Sequence, residues 1–157
     1  KTKRFNALVF GGEKATVTKG RQEVLVHNNI RMIPVLEDMS HLFLVNEALD
    51  NNEIVSMPAD RVIGSAKSIT HELLGAEVRF PAGPISVATL KEQDVLAVNV
   101  MKVSAKYYKV YVKRLSYDKQ ASRKEQMQQL TDSYVKELER KVRQYPLQWF
   151  NFYDFWT

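Results

Sequence analysis

The sequence has no cysteine, which excludes disulfide bonds and thiolate chemistry. It also lacks any apolar run of the roughly 18 to 20 residues needed to cross a bilayer, and no signal-peptide pattern opens it. A glycine-rich phosphate loop, a nucleophile elbow around a serine and the ligand spacing of a metal site are all missing. Standard nucleotide and hydrolase chemistries are therefore weak candidates, and we predict neither a metal nor a cofactor.

The composition is that of a folded protein, with 45% hydrophobic and 26% charged residues in 157 positions. This length predicts one domain covering residues 1–157. The opening residue, Lys1, indicates a fragment or a processed product. The net charge of +5 is uneven, because Lys102 to Arg143 holds twelve Lys or Arg against five Asp or Glu. Such a basic region suits anionic headgroups, phosphate-bearing substrates or nucleic acid, and an ordinary solvated basic face explains it equally well.

Strand-like and helix-like segments alternate in the first sixty residues. Phe5 to Phe10, Ile30 to Val35 and Glu53 to Met57 resemble short strands. Leu36 to Leu49 has a helical apolar stripe, and Glu13 to Asn28 fits a helix or a strand. This order favours a parallel sheet with right-handed crossovers, and so an α/β fold with a mainly parallel central sheet flanked by helices.

The remaining chain predicts four strands and two helices, followed by an aromatic ending that we expect to be helical. Gly75 separates the first two strands, which are separate short strands or a hairpin. The next two strands pair as neighbours, and the last helix is strongly amphipathic. The predicted segments are Ile69 to Leu74, Glu77 to Phe80, Pro84 to Glu92, Val95 to Val103, Tyr107 to Leu115 and Ser122 to Gln144.

The histidines give no predicted catalytic base. A general base needs an imidazole and a carboxylate that fixes its tautomer. None of the three, His27, His41 and His71, has an acidic residue five positions later. His41 and His71 have Glu47 and Glu77 six positions on, one residue beyond the spacing of a His-x-x-x-x-Asp/Glu motif. Ordinary structural histidines are the simpler interpretation.

Two segments have the features of a binding site. The first ends a strand and continues as Pro58-Ala59-Asp60-Arg61, where Asp60 orients a partner group and Arg61 holds a phosphate or carboxylate. The second runs from Leu73 to Pro84 and contains Arg79-Phe80-Pro81-Ala82-Gly83-Pro84 before a helix, whose N-terminus presents free N–H groups to an anion. A turn with a solvated arginine and a tight helix start are the structural alternatives.

These segments resemble the bacterial lipid A biosynthesis acyltransferases, the lauroyl and myristoyl transferase family within the lysophospholipid acyltransferase superfamily. In that family a strand ends in Asp-Gln or Asp-Arg, and a phrase Phe-Leu-Gly-x-x-Ala-x-Phe-Pro-x-Gly-Pro follows. Here the phrase is Leu73 to Pro84, with Val78 where alanine is frequent. The ending Pro146-Leu147-Gln148-Trp149, followed by aromatic residues, is similar to the family's closing Pro-x-Gln-Trp.

The resemblance implies a glycerolipid-acyltransferase-like fold and transfer of an acyl chain from acyl carrier protein or acyl-CoA to a hydroxyl of an anionic glycolipid. It implies a site at the cytoplasmic face of the bacterial inner membrane, with substrate-binding roles for Asp60, Arg61, Arg79, Phe80, Gly83 and Pro84. The family's His-x-x-x-x-Asp/Glu motif lies upstream and is absent here, so we expect this chain to be a catalytically incomplete C-terminal portion.

Aromatic residues are concentrated at the end of the chain, where we expect Trp149, Phe150, Phe155 and Trp156 to contact the membrane. A helix docked on the sheet is the alternative. In the basic, tyrosine-rich strand, alternation puts Tyr107, Lys109, Tyr111 and Lys113 on one side, which we expect to be solvent-exposed. A protected edge strand explains it without a ligand. The rival functions are a non-catalytic module binding anionic lipid or RNA, with nucleic acid not favoured, and a pseudo-enzyme of the same fold.

Overall fold

The computed structural model describes residues 2–10, 29–36, 38, 40–62, 67–151 and 154–156. The segment Glu13 to Asn28, for which helix and strand both fit, and His27 lie outside these residues. The chain forms two compact units, Lys1–Pro58 and Ala59–Thr157. The expectation of a single domain stays a prediction, because the compactness of each unit does not test whether the two fold together.

The first unit is built on a three-stranded parallel sheet in the order β2-β1-β3. Its strands are β1 (Phe5–Phe10), β2 (Ile30–Val35) and β3 (Ile54–Ser56). Phe5 pairs with Ile30 on one side and with Ile54 on the other. The parallel sheet predicted from the alternation of segments is therefore confirmed, as is the α/β class.

Helix α1 (His41–Asp50) joins β2 to β3 and covers the sheet with Val45 and Ala48, which are buried. It begins later than the predicted Leu36. The carboxylate of Asp38 accepts a 2.9 Å hydrogen bond from the backbone N–H of Ser40. Such a local bond gives the backbone an alternative to the helix, so it delays the helix start.

The second unit opens with an antiparallel hairpin of β4 (Ser68–Leu73) and β5 (Ala76–Pro81). Its two-residue turn has positive φ at both positions, 56° at Leu74 and 86° at Gly75. These values define the turn type whose twist matches that of a hairpin. Of the two alternatives left by the sequence, separate strands or a hairpin, the structure has the hairpin.

Helix α2 (Ala82–Leu90) follows directly, and a second antiparallel hairpin pairs β6 (Val95–Lys102) with β7 (Tyr108–Leu115). The predicted neighbour pairing of these strands is confirmed. Helix α3 (Arg123–Gln144) begins at a capping box, in which Ser122 and Glu125 satisfy each other's backbone N–H groups. It buries an apolar stripe against both hairpins, in two core clusters.

The aromatic ending differs from the expected helix. A short 3₁₀ helix covers Pro146–Gln148, and residues 149–151 and 154–156 are not helical. Pro146 has no amide hydrogen and disfavours helical backbone at Tyr145, which adopts φ −136° and ψ 60°. The ending instead follows the surface of the second unit, held by side-chain bonds that are described below.

Candidate functional site

The junction between β5 and α2 holds three of the predicted site residues, Phe80, Gly83 and Pro84. Phe80 ends the apolar face of β5 and is 1% exposed. Its ring packs edge-to-face on Tyr134 and Phe155, each at a centroid distance of 5.8 Å. Phe80 therefore anchors the junction to the core.

The start of α2 lies at Ala82, two residues before the predicted start at Pro84. Proline is tolerated in the first helical turn because those amide groups have no intrahelical acceptor. Pro81 precedes the helix in extended conformation, and the Ala82 N–H donates to the Lys67 carbonyl at 2.8 Å. The Ala82 N–H is thus already hydrogen-bonded, and Pro84 has no N–H. The Gly83 N–H is therefore the next amide group at this end of the helix.

Gly83 is exposed, and a Cβ built on it meets no atom within 4 Å. Its backbone also lies outside the positive-φ region that favours glycine, whereas Gly75 has φ +86° and needs that freedom. Neither conformation nor packing within the described residues requires a glycine at this position. The open space beside it allows another molecule to approach the backbone closely.

The charged residues predicted for the site lie elsewhere. Asp60 and Arg61 come earlier in the sequence, and Arg79 lies on the opposite face of β5 from Phe80. Asp60 and Arg61 follow β3, with Asp60 half-buried and Arg61 exposed, and each already has an interaction partner. Arg79 pairs with Thr70 across the first hairpin and is exposed, because its neighbours Val78 and Phe80 take the buried face.

A histidine–aspartate pair that sequence reasoning missed joins β4 to α3. His71 Nε2 lies 2.8 Å from Asp132 Oδ1, and His71 Nδ1 lies 2.9 Å from the Glu72 carbonyl oxygen. Each ring nitrogen of His71 thus lies within hydrogen-bond distance of an oxygen atom. The pair acts as a clip between two elements that are 61 positions apart.

Of the two other histidines, His41 also has a structural partner. Its Nδ1 accepts a 3.3 Å bond from the Leu36 N–H, beside the start of α1. Within the described residues, His41 and His71 therefore both form hydrogen bonds that hold parts of the fold together.

Tyr111 of the basic strand packs inward, unlike its predicted neighbours Tyr107, Lys109 and Lys113, which are exposed. The ammonium of Lys141, itself 1% exposed, lies 3.1 Å from the Tyr111 ring centroid. The hydroxyl oxygens of Tyr111 and Tyr145 are hydrogen-bonded at 2.6 Å, and this bond lowers the pKa of Tyr111 and raises that of Tyr145. The expectation of a fully exposed face was wrong for Tyr111, whose ring fixes the hairpin on α3.

Two side chains of the aromatic ending bond to strand backbones. Gln148 accepts from the Lys102 N–H and donates to the Lys102 carbonyl, both at 2.8 Å. Trp156 Nε1 donates to the Leu73 carbonyl at 3.1 Å. Gln148 and Trp156, eight positions apart, thus attach the chain end to both hairpins.

Of the four predicted membrane-contact residues, three are exposed or half-buried and one is buried. Phe150 and Trp156 are 70% and 46% exposed, and Trp149 is half-buried. Phe155 is 5% exposed and packs between Phe80 and Trp149, so its ring lies in the core.

One open cleft of about 420 Å³ lies beside α3, and none of the predicted site residues lines it. Its walls are polar and include Ser116, Asp132 and Lys136.

Across the part of the chain that the structure describes, no helix has the length and apolarity for a membrane crossing, and no three potential ligands gather for a metal ion.

Comparison with known proteins gives one family match. A family model described as bacterial lipid A biosynthesis acyltransferase matches residues 10–157, and so covers both units. No curated protein matches the chain.

Proposed function

The chain belongs to the bacterial lipid A biosynthesis acyltransferase family, and on that premise we propose the acyl donor, the acceptor and the location of the reaction. The proposed donor is a fatty acyl thioester of acyl carrier protein or coenzyme A, and the acceptor is a hydroxyl of a lipid A precursor or a related glycolipid. The hydroxyl oxygen attacks the thioester carbonyl, the C–S bond breaks, and an ester and a free thiol are formed. The hydroxyl proton passes to a base and then to the departing sulfur.

The junction at Gly83 is the part of this chain that we assign to the substrate. It combines an exposed glycine, open space for a Cβ, and the amino-terminal end of a helix, whose partial positive charge favours an anionic oxygen. Phe80 and Pro84 fix the backbone on either side of Gly83. Arg61 and Arg79 are exposed cations suited to the phosphate groups of an anionic glycolipid.

The general base is not assigned to this chain. The sequence has no His-x-x-x-x-Asp/Glu motif, and both ring nitrogens of His71 face acceptors. We assign to the chain the positioning of the acceptor, with Asp60 orienting a neighbouring group.

A position at the cytoplasmic face of the bacterial inner membrane fits the anionic lipid acceptor. The exposed rings of Phe150 and Trp156 support it, since aromatic side chains favour the interface between lipid and water.

The substitution Gly83→Ala tests the site. Its methyl group enters open space in the free protein, so we expect the free energy of unfolding to stay equal or rise by about 0.5 kcal/mol. With a substrate against the backbone, the same methyl displaces the reacting groups, and we expect kcat/KM to fall by roughly tenfold to a hundredfold.

The assay is acyl transfer from an acyl thioester to a lipid A precursor by the whole protein, paired with urea unfolding. Ser104→Thr adds a methyl group at an exposed turn position and serves as the matched control, with unchanged activity expected. Full activity of the Gly83→Ala protein would contradict the assignment of Gly83 to the substrate site.

A further inference from the structure

The second hairpin, β6 and β7, has two apolar faces, and only one of them is covered. On the inner face Ala97 and Leu115 are buried against Leu130 of α3. The outer face presents five aliphatic side chains that are each 56% to 60% exposed: Leu96, Val98, Val100, Val110 and Val112. We call these five residues the outer face.

The outer face is continuous, because the strand register sets its valines directly opposite one another. Val98 pairs with Val112 and Val100 pairs with Val110. A strand with one solvated face normally alternates apolar with polar residues. Here β6 reads Val-Leu-Ala-Val-Asn-Val-Met-Lys, and its first three outward positions, Leu96, Val98 and Val100, are apolar. Contiguous exposed apolar surface of this kind marks an interaction site.

The charge around the outer face is mainly basic, although Arg114 is paired with the carboxylate of Asp94 at 2.9 Å. Residues 95–115 contain four lysines and one arginine and no acidic residue. Lys102, opposite Tyr108, lies at one end of the face, and Arg114, opposite Leu96, lies at the other. The described surface therefore combines an aliphatic centre with a basic end at the turn, where Lys102 and Lys106 are exposed.

Exposed tyrosines lie at the turn of the hairpin, where Tyr107 and Tyr108 are 70% and 63% exposed. Tyrosine joins an apolar ring to a polar hydroxyl and favours the headgroup level of a bilayer. Gln148 holds the aromatic ending to Lys102, so Leu147, which is 89% exposed, follows the same end of the hairpin.

We propose that the outer face lies against an anionic lipid bilayer, with its aliphatic side chains at the boundary between headgroups and acyl chains. Lys102 and Lys106 then meet lipid phosphates, and the turn tyrosines lie among the headgroups. Attraction of basic groups to anionic lipid adds to the burial of apolar area, as in other interfacial elements. This surface differs from the aromatic ending and needs no acyl transfer.

Lipid fits this face better than RNA does. Single-stranded nucleic acid binds by stacking its bases on exposed aromatic rings. The centre of the outer face has only aliphatic side chains, and the Tyr111 ring of the same strand is occupied by Lys141.

Binding of the chain to phosphatidylcholine vesicles, with and without phosphatidylglycerol, tests the assignment by co-sedimentation. We expect strong binding only with phosphatidylglycerol. Val98→Thr combined with Val112→Thr keeps β-branched side chains on exposed positions, and should weaken binding by roughly tenfold or more. Leu36→Thr combined with Leu90→Thr removes two exposed aliphatic side chains elsewhere and should leave binding unchanged.

The basic residues are tested separately. Lys102→Gln with Lys106→Gln should weaken binding to anionic vesicles by about fivefold per lysine, and the loss should shrink at high salt. Circular dichroism of each variant verifies that it is folded, and Gly83→Ala should bind vesicles like the wild type even if it loses activity.

Three results would overturn the assignment. The first is equal binding by the Val98→Thr/Val112→Thr protein and the wild type. The second is loss of binding only on substitution of Phe150 and Trp156, which would put lipid contact in the aromatic ending. The third is tighter salt-sensitive binding to single-stranded RNA than to the vesicles.

Discussion

Substitution of Phe155 tests whether the aromatic ending is part of the core. Its ring centroid lies 4.9 Å from that of Trp149, 5.4 Å from Trp156 and 5.8 Å from Phe80. Phe155→Ala removes a buried ring and should lower the free energy of unfolding by about 3 to 5 kcal/mol. Phe155→Leu keeps most of the apolar volume and loses three ring pairs, each worth about 0.5 to 1.5 kcal/mol, so we expect a loss of about 2 to 4 kcal/mol.

The matched control is Phe150→Ala, which removes the same ring in the same segment at a position that is 70% exposed. Its cost should stay within about 0.5 kcal/mol. Urea unfolding followed by tryptophan fluorescence is the assay, because the chain's two tryptophans both lie beside Phe155. Equal costs for Phe155→Leu and Phe150→Ala would refute the core position of Phe155 and return it to the residues expected to face lipid.

The other predictions concern attachments to the rest of the second unit. Gln148→Glu removes the donor to the Lys102 carbonyl and should lower the free energy of unfolding, measured in urea, by about 1 to 3 kcal/mol. Gln120→Glu on the exposed surface should lower it little, and equal effects of the two substitutions would contradict the attachment. Bonds from Arg143 and then from the Leu74 N–H hold the pKa of Glu139 below its ordinary value of 4.5. Its stabilisation is therefore complete above pH 4.5 and is lost as the pH falls through the folded-state pKa, and Glu139→Gln should flatten that acid dependence of the unfolding free energy; an unchanged curve would count against it.

Local sequence pattern was sufficient wherever an element is specified by its own residues. Helix α3 is predicted at Ser122 to Gln144 and runs over Arg123–Gln144, because a repeated apolar stripe marks it in the sequence. The turn at Leu74 and Gly75 is similarly local. The strands of the first unit follow from short β-branched runs, and their parallel pairing follows from the helix between β2 and β3.

Contacts between distant positions explain what the sequence did not show. The form of the aromatic ending depends on the bond of Gln148 with Lys102 and that of Trp156 with Leu73, 46 and 83 positions apart. The clip between His71 and Asp132 has the same origin, because no spacing rule connects residues on a strand and a distant helix. The burial of Lys141 over Tyr111 was also hidden, since lysine in an amphipathic helix is ordinarily assigned to the solvated face.

These contacts give several residues of the recognised motifs a structural task that Gly83 does not have. Gly75 is needed for positive φ, Phe80 fills the core, and Gln148 and Trp156 hold the chain end. At Gly83 neither the backbone conformation nor the packing of the described residues requires glycine. A glycine in a helix also costs about 0.5 to 1 kcal/mol relative to alanine. We therefore propose that glycine stands there to let a molecule outside the described chain approach closely, and Gly83 is the position where we would seek the acceptor.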